Sequence, residues 1–116
     1  MNESGLFLNS DEASKIKLAN GIIARPLYCN GKFMVILFEV REEVPIHSHS
    51  CVQFGFILGG RAEFNIGNET KIVEKGCFYY IPSNIPHGVK VLKSPLFALD
   101  IFMPPREDYK HLFALT

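Results

Sequence analysis

Short runs rich in Val, Ile, Phe and Tyr recur along the chain, separated by Gly, Pro and Asn at intervals of about 8 to 12 residues. That spacing is the mark of antiparallel β structure, and it predicts strands over 21–28, 33–40, 44–49, 53–58, 62–66, 70–73, 77–81, 87–91 and 96–103. Asn30-Gly31 and Gly67-Asn68 offer the positive φ angles of tight hairpins, and Gly59-Gly60 reads as a third turn. Helical signals are weak: Ser10 is placed to cap a short turn through 11–15, and 106–112 can form a terminal helical turn after Pro104-Pro105. Neither segment is long enough to supply a core. With this many strands and no crossover helices, the sheet must close or stack on itself, giving an all-β barrel or jelly roll.

Length and composition narrow this picture. A chain of 116 residues fits one domain, expected over 1–116, because a second core would have too few residues to enclose. Twelve basic residues balance twelve acidic ones, so no global field draws the protein to nucleic acid or an anionic membrane, and small molecules are the expected partners. Cys29, Cys51 and Cys77 show no CxxC spacing, which fits three reduced thiols in a cytoplasmic protein. No apolar run approaches the roughly 18 residues needed to span a bilayer, and the first residues lack the basic-then-apolar order of a secretion signal.

Candidate chemistry gathers in two places. His47 and His49 are two residues apart, so on a strand both rings point to one face of the sheet. Gln53 opens the next apolar run, and His87 follows a proline-stiffened turn, 82–86. Neutral imidazoles in this arrangement are a credible facial set for a divalent transition metal. The bland alternative is a pair of surface histidines on an edge strand. The fourth histidine, His111, lies in the charged tail and is expected at the surface. On 96–103, alternation puts Leu96, Ala98, Asp100 and Phe102 on one face and Phe97, Leu99, Ile101 and Met103 on the other. Asp100 is thus embedded among apolar neighbours, where a carboxylate has to be ion-paired, coordinated or used as an acid or base. Phe54, Phe56, Phe64, Phe78, Tyr79 and Tyr80 are expected in the core or at an interface, as any barrel requires.

These residues resemble a known family. The run Val44-Pro-Ile-His-Ser-His49 with Gln53 and Gly59-Gly60 is similar to the first motif of the cupins, and Gly76 through His87 to the second. The resemblance covers 33–103 and implies a double-stranded β-helix, or jelly-roll, barrel with the metal inside its mouth. Two positions depart from the pattern: Gln53 replaces the usual glutamate ligand, and Asn84 stands where glycine is usual. Asparagine tolerates the left-handed backbone such a turn needs. An amide in place of a carboxylate leaves the ion's full charge, favouring anionic or oxygen-rich ligands but holding the metal more weakly.

The tail from Asp100 through Phe102, Pro104, Pro105 and Arg106 to Tyr109 further resembles the small single-domain cupins of pectin and alginate catabolism called KdgF. What this resemblance implies is conversion of 4,5-unsaturated monouronates to linear ketonised sugar acids. By position, His47, His49, Gln53 and His87 would hold one divalent ion (nickel, zinc, manganese or iron), Asp100 would be the acid/base and Phe102 a pocket wall. Arg106 would meet the uronate carboxylate, or else pair with Glu107 or Asp108. A homodimer is expected by the same analogy. Other cupin chemistry, a dioxygenase acting on a small oxygenated substrate, and a non-catalytic sugar-binding barrel are the alternatives.

Overall fold

In the computed structural model, which describes residues 4–114, the apolar runs become eight antiparallel strands. They are β1 (Ile16–Ala19), β2 (Ile22–Cys29), β3 (Met34–Val40), β4 (Glu43–His47), β5 (Val52–Ile66), β6 (Glu69–Glu74), β7 (Phe78–Ile81) and β8 (His87–Met103). The first three and last two residues of the domain expected over 1–116 lie outside the described residues. Single 3-10 turns at Ser10–Glu12 and Glu107–Tyr109 and a short helix α1 (His111–Ala114) complete the order.

The expected segments 53–58 and 62–66 are one strand, as are 87–91 and 96–103. Gly59-Gly60 is therefore a bend within β5 and not a hairpin. Gly60 has φ +80°, the β5–β8 register shifts on either side of it, and a Cβ there would lie 2.3 Å from the Pro95 carbonyl oxygen. Only a residue without a side chain satisfies both demands. The consequence is architectural. The halves 52–59 and 96–103 lie between β3 and β7, while 61–66 and 87–93 lie between β4 and β6. Two long strands bent together fold one sheet over itself and form the jelly roll.

Smaller expectations change as well. The four-residue β1, missed because its alternation is so short, pairs with β2 at the sheet edge. The first 3-10 turn is capped by Asn9, whose side chain accepts from the Asp11 N–H, and not by Ser10. Between β2 and β3 the Asn30 Oδ1 accepts from the N–H groups of Lys32 and Phe33, so the turn is built by a side chain, and neither Asn30 nor Gly31 needs positive φ. Of Gly67-Asn68, only the glycine adopts it.

The alternation along 96–103 is observed as expected: Leu96, Ala98, Asp100 and Phe102 face inward, against Met34, Ile36, Phe38 and Val40 of β3 and Ile57 of β5. On the opposite side of β5 and β7, Phe56, Leu58, Phe78 and Tyr80 are each about half exposed. No helix among the described residues is long and apolar enough to cross a membrane.

Candidate metal centre

His47 ends β4 and pairs in register with His87, the first residue of β8, with ring centroids 4.3 Å apart. His49 lies beyond the end of β4, because the expected strand 44–49 stops at His47. Its ring nevertheless converges on the others, 4.8 Å from His87 and 5.7 Å from His47. Two contacts hold this loop against the one before β8: the Asn84 N–H donates to the His49 carbonyl at 2.8 Å, and the Ser83 hydroxyl donates to that of Ser50. Asn84 makes its contact from φ 64°, the left-handed conformation expected of it. His111 is exposed on α1, as its place in the tail implied.

The donor set fits a metal ion on three observations. First, one ligand nitrogen from each of His47, His49 and His87 lies within 4.8 Å of the others. Second, each Nδ1 faces a backbone carbonyl, that of Pro45, Cys51 and Ile85 respectively, at 2.8 to 2.9 Å. A carbonyl only accepts, so each Nδ1 carries the proton and each Nε2 presents a lone pair, as in metal-binding histidines. Third, the His87 Nε2 is buried without a hydrogen-bond partner. The His49 Nε2 lone pair faces the Gln53 Oε1 at 3.0 Å, while the Gln53 amide is hydrogen-bonded to Asp100. Two acceptors at that distance repel unless a cation joins them, and ligands about 2.1 Å from one ion at right angles stand about 3 Å apart.

Burial tunes the groups for this task. It lowers the His87 imidazole to about 4 and lowers His47 as well, which keeps both rings neutral and able to ligate. The Asp100 carboxyl, 4% exposed, is raised by burial to about 6 against the pull of donors from Tyr79 and Gln53. Near that value a carboxyl both gives and takes protons at neutral pH.

A cavity of about 310 Å³ opens beside these groups. His47, His87, Gln53, Asp100, Tyr79 and Arg106 line its polar end, and Val40, Val44 and Leu96 belong to its apolar walls. Phe102 packs edge-on against His49 at 5.7 Å and also lines the cavity. Arg106 is held rather than free: Nε and Nη2 donate to the two oxygens of Asp108 at 3.0 and 2.7 Å, and the guanidinium stacks on Tyr109 at 3.9 Å. The bidentate edge expected to meet a substrate carboxylate is thus taken by Asp108, the pairing that was its alternative.

All seven expected site residues converge on this end of the barrel. Tyr79, expected in the core or at an interface, is buried as expected and also lines this cavity. Its phenol donates to Asp100 Oδ1 at 2.5 Å. Alternation along β7 held the clue, since Tyr79 and Ile81 point inward while Phe78 and Tyr80 do not, and a buried hydroxyl needs a partner.

The family model described as "Cupin domain" matches residues 34–102. The chain belongs to the cupin family. A curated relative, an uncharacterized protein of Streptomyces coelicolor, is 32% identical over 57 residues, covering 49% of this cupin and 54% of that protein. The chain therefore spans about half the length of the curated relative it matches. Among solved structures, KdgF from Halomonas sp. superposes with a TM-score of 0.84 at 21% identity, covering 90% of this chain and 98% of that one. An RmlC-like cupin from Shewanella frigidimarina gives 0.83 at 22% identity, with 94% and 99% covered. A predicted oxalate decarboxylase from Thermotoga maritima gives 0.76 at 15% identity, with 85% and 99% covered. These likenesses establish the fold; together with the histidine cluster they make this a small cupin with a site suited to a divalent metal.

Proposed function

We propose that this cupin is a metal-dependent enzyme that opens and ketonises 4,5-unsaturated monouronates, giving linear 4-deoxy-5-keto-uronates. The observation that carries the reading is the buried Asp100 carboxyl beside the three-histidine, one-glutamine donor set, on the wall of a cavity it shares with Arg106. The fold-level likeness to KdgF supports it.

The reaction is an isomerisation that one carboxylate can serve. Asp100 takes the proton of the anomeric hydroxyl; the C1–O5 bond breaks as the C1 carbonyl forms, and the electron pair passes to O5. The resulting enolate collapses to the C5 ketone as Asp100 returns the proton to C4. Bound by His47, His49, Gln53 and His87, a nickel, zinc, manganese or iron ion supplies Lewis-acid stabilisation of negative charge on the sugar oxygens. Phe102 walls the site, and Arg106, its Nε and Nη2 edge held by Asp108, keeps its Nη1 N–H groups as donors for the uronate carboxylate. The test follows the ultraviolet absorbance of the conjugated double bond, with pectin-derived and alginate-derived unsaturated monouronates. Metal-loaded protein is expected to remove it faster than the spontaneous reaction; the unaided rate with both sugars would sink the reading.

The reading extends to one domain acting as a cytoplasmic homodimer, with sugar acids and not nucleic acid or membranes as partners. The unpaired Cys29, Cys51 and Cys77 support a reducing compartment. The half-exposed Phe56, Leu58, Phe78 and Tyr80 support a self-associating face. Phe78→Glu is expected to halve the mass measured by light scattering, and an unchanged mass would remove that face from consideration.

One observation favours a second reading. The cavity walls beyond the polar end are apolar, which suits a substrate with a hydrocarbon body better than a hydroxyl-rich ring. A cupin dioxygenase acting on a small oxygenated substrate of that kind would consume oxygen when loaded with ferrous ion, and oxygen uptake separates the two readings.

A further inference from the structure

Tyr79, Gly55 and Asp100 occupy one row across three adjacent strands: Gly55 of β5 pairs with Tyr79 of β7 on one side and with Asp100 of β8 on the other. Neighbouring strands are about 4.8 Å apart, so a side chain on β7 reaches one on β8 only by crossing the whole width of β5. It can do so here because position 55 has no side chain. A Cβ there would lie 2.7 Å from Asp100 Oδ1, 2.9 Å from the Tyr79 hydroxyl and 2.1 Å from the Leu99 carbonyl. The phenol passes over this gap and donates to Asp100 Oδ1 at 2.5 Å.

The contact is built into the interior of the barrel. Tyr79 is 6% exposed and its ring packs against Phe64 with centroids 4.8 Å apart, which fixes the direction of the phenol. Both Tyr79 and Asp100 line the cavity of the candidate centre. Burial and the neighbouring carboxylate also raise the phenol well above its ordinary value, so it stays a protonated donor at any working pH.

We infer that Tyr79, reaching across Gly55, is the positioning residue that holds the Asp100 carboxylate for proton transfer in the cavity. The inference rests on the reading of Asp100 as the acid/base and goes beyond it. Asp100 has a short side chain with two torsions, and a proton passed between two substrate atoms demands that its oxygens keep one orientation. A short charge-assisted hydrogen bond from a rigid ring supplies that constraint. Misplacement of a reacting group by about 1 Å can cost about 100-fold in rate.

Tyr79→Phe preserves the ring and its packing and removes only the donor. With metal-loaded protein and an unsaturated monouronate, kcat is expected to fall 10- to 100-fold while KM stays within twofold and metal content is unchanged. In an Asp100→Asn background the same change is expected to have no further effect on kcat, since it acts only through Asp100. A kcat within twofold of the unaltered protein, or an equal loss in both backgrounds, would overturn the role. If the unaltered protein shows no turnover, the reaction reading has failed. The contact is then judged on the ¹³C resonance of the Asp100 carboxyl, which moves in Tyr79→Phe if the phenol holds the carboxylate and stays in place if it does not.

Discussion

Asp100→Asn is expected to lower turnover of the unsaturated monouronate by about 10³-fold at saturating metal, within the range that a positioned acid/base contributes, with the metal site still filled at that concentration. The variant separates the two parts of the centre. Asparagine keeps the volume and still accepts from Tyr79, but it can neither take nor return a proton. The same substitution should stabilise the metal-free protein. The folded value of Asp100 is about 6 against an ordinary 3.8, so the folded state binds the proton more tightly than the unfolded chain does. Stability is then greatest below about pH 4 and is lost as pH rises through about 6. At 1.36 kcal/mol per unit, the charged carboxyl costs about 3 kcal/mol above that window. Asparagine removes this cost but loses the donation from Gln53, worth about 1 kcal/mol. Chelator-treated Asp100→Asn is therefore expected to exceed the unaltered protein by about 2 kcal/mol at pH 8 in denaturant titrations and to converge with it at pH 4. Equal stability at both pH values would show that burial of this carboxyl is not a strain on the fold, and normal turnover would remove Asp100 from the chemistry.

That such a costly group can be found from sequence is a matter of periodicity. Asp100 interrupts an otherwise apolar face, Leu96, Ala98 and Phe102, and a period of two makes the interruption visible without a structure. The histidines are legible for a related reason, though His49 reaches the centre from a loop and not by strand alternation. The bends were not legible. Gly59-Gly60 looks the same in sequence whether it closes a hairpin or lets one strand serve two sheets. Only the approach of Pro95 to Gly60, 35 residues apart along the chain, decides between them. Tyr79 was obscured by its setting, since it lies between Phe78 and Tyr80 in an aromatic run and its partner lies two strands away. The pairing of Arg106 with Asp108 is local, yet a short charge pattern offers several partners and geometry selects one.

The second large effect concerns the metal. Adding nickel or zinc to chelator-treated protein at about 100 times its dissociation constant is expected to stabilise the fold by about 2.7 kcal/mol, a rise in Tm of about 10 °C for a chain of this length. His87→Ala should abolish most of that rise. His87 supplies a buried Nε2 with no protein partner, held by the Ile85 carbonyl at its other nitrogen, so its removal deletes a ligand already oriented for the ion. Loss of an outer hydrogen bond to such a ligand weakens metal binding about 10- to 100-fold, and loss of the ligand itself should exceed that. A 100-fold weaker site at the same metal concentration retains about 0.4 kcal/mol of stabilisation. The metal-free variant should lose less, because the orphaned nitrogen contributes no hydrogen bond to the fold. Protons compete late: with His87 lowered to about 4 by burial, against an ordinary 6.5, the folded chain resists its protonation. The metal-free protein loses stability as pH falls through that interval, and because the folded His87 ring stays neutral there, the stabilisation added by the ion is expected to persist across it and to shrink only as pH falls below about 4. Calorimetry with and without metal measures this directly. An equal metal-dependent rise in the unaltered protein and in His87→Ala would place the ion elsewhere, and no rise in either would leave the cluster without a metal role.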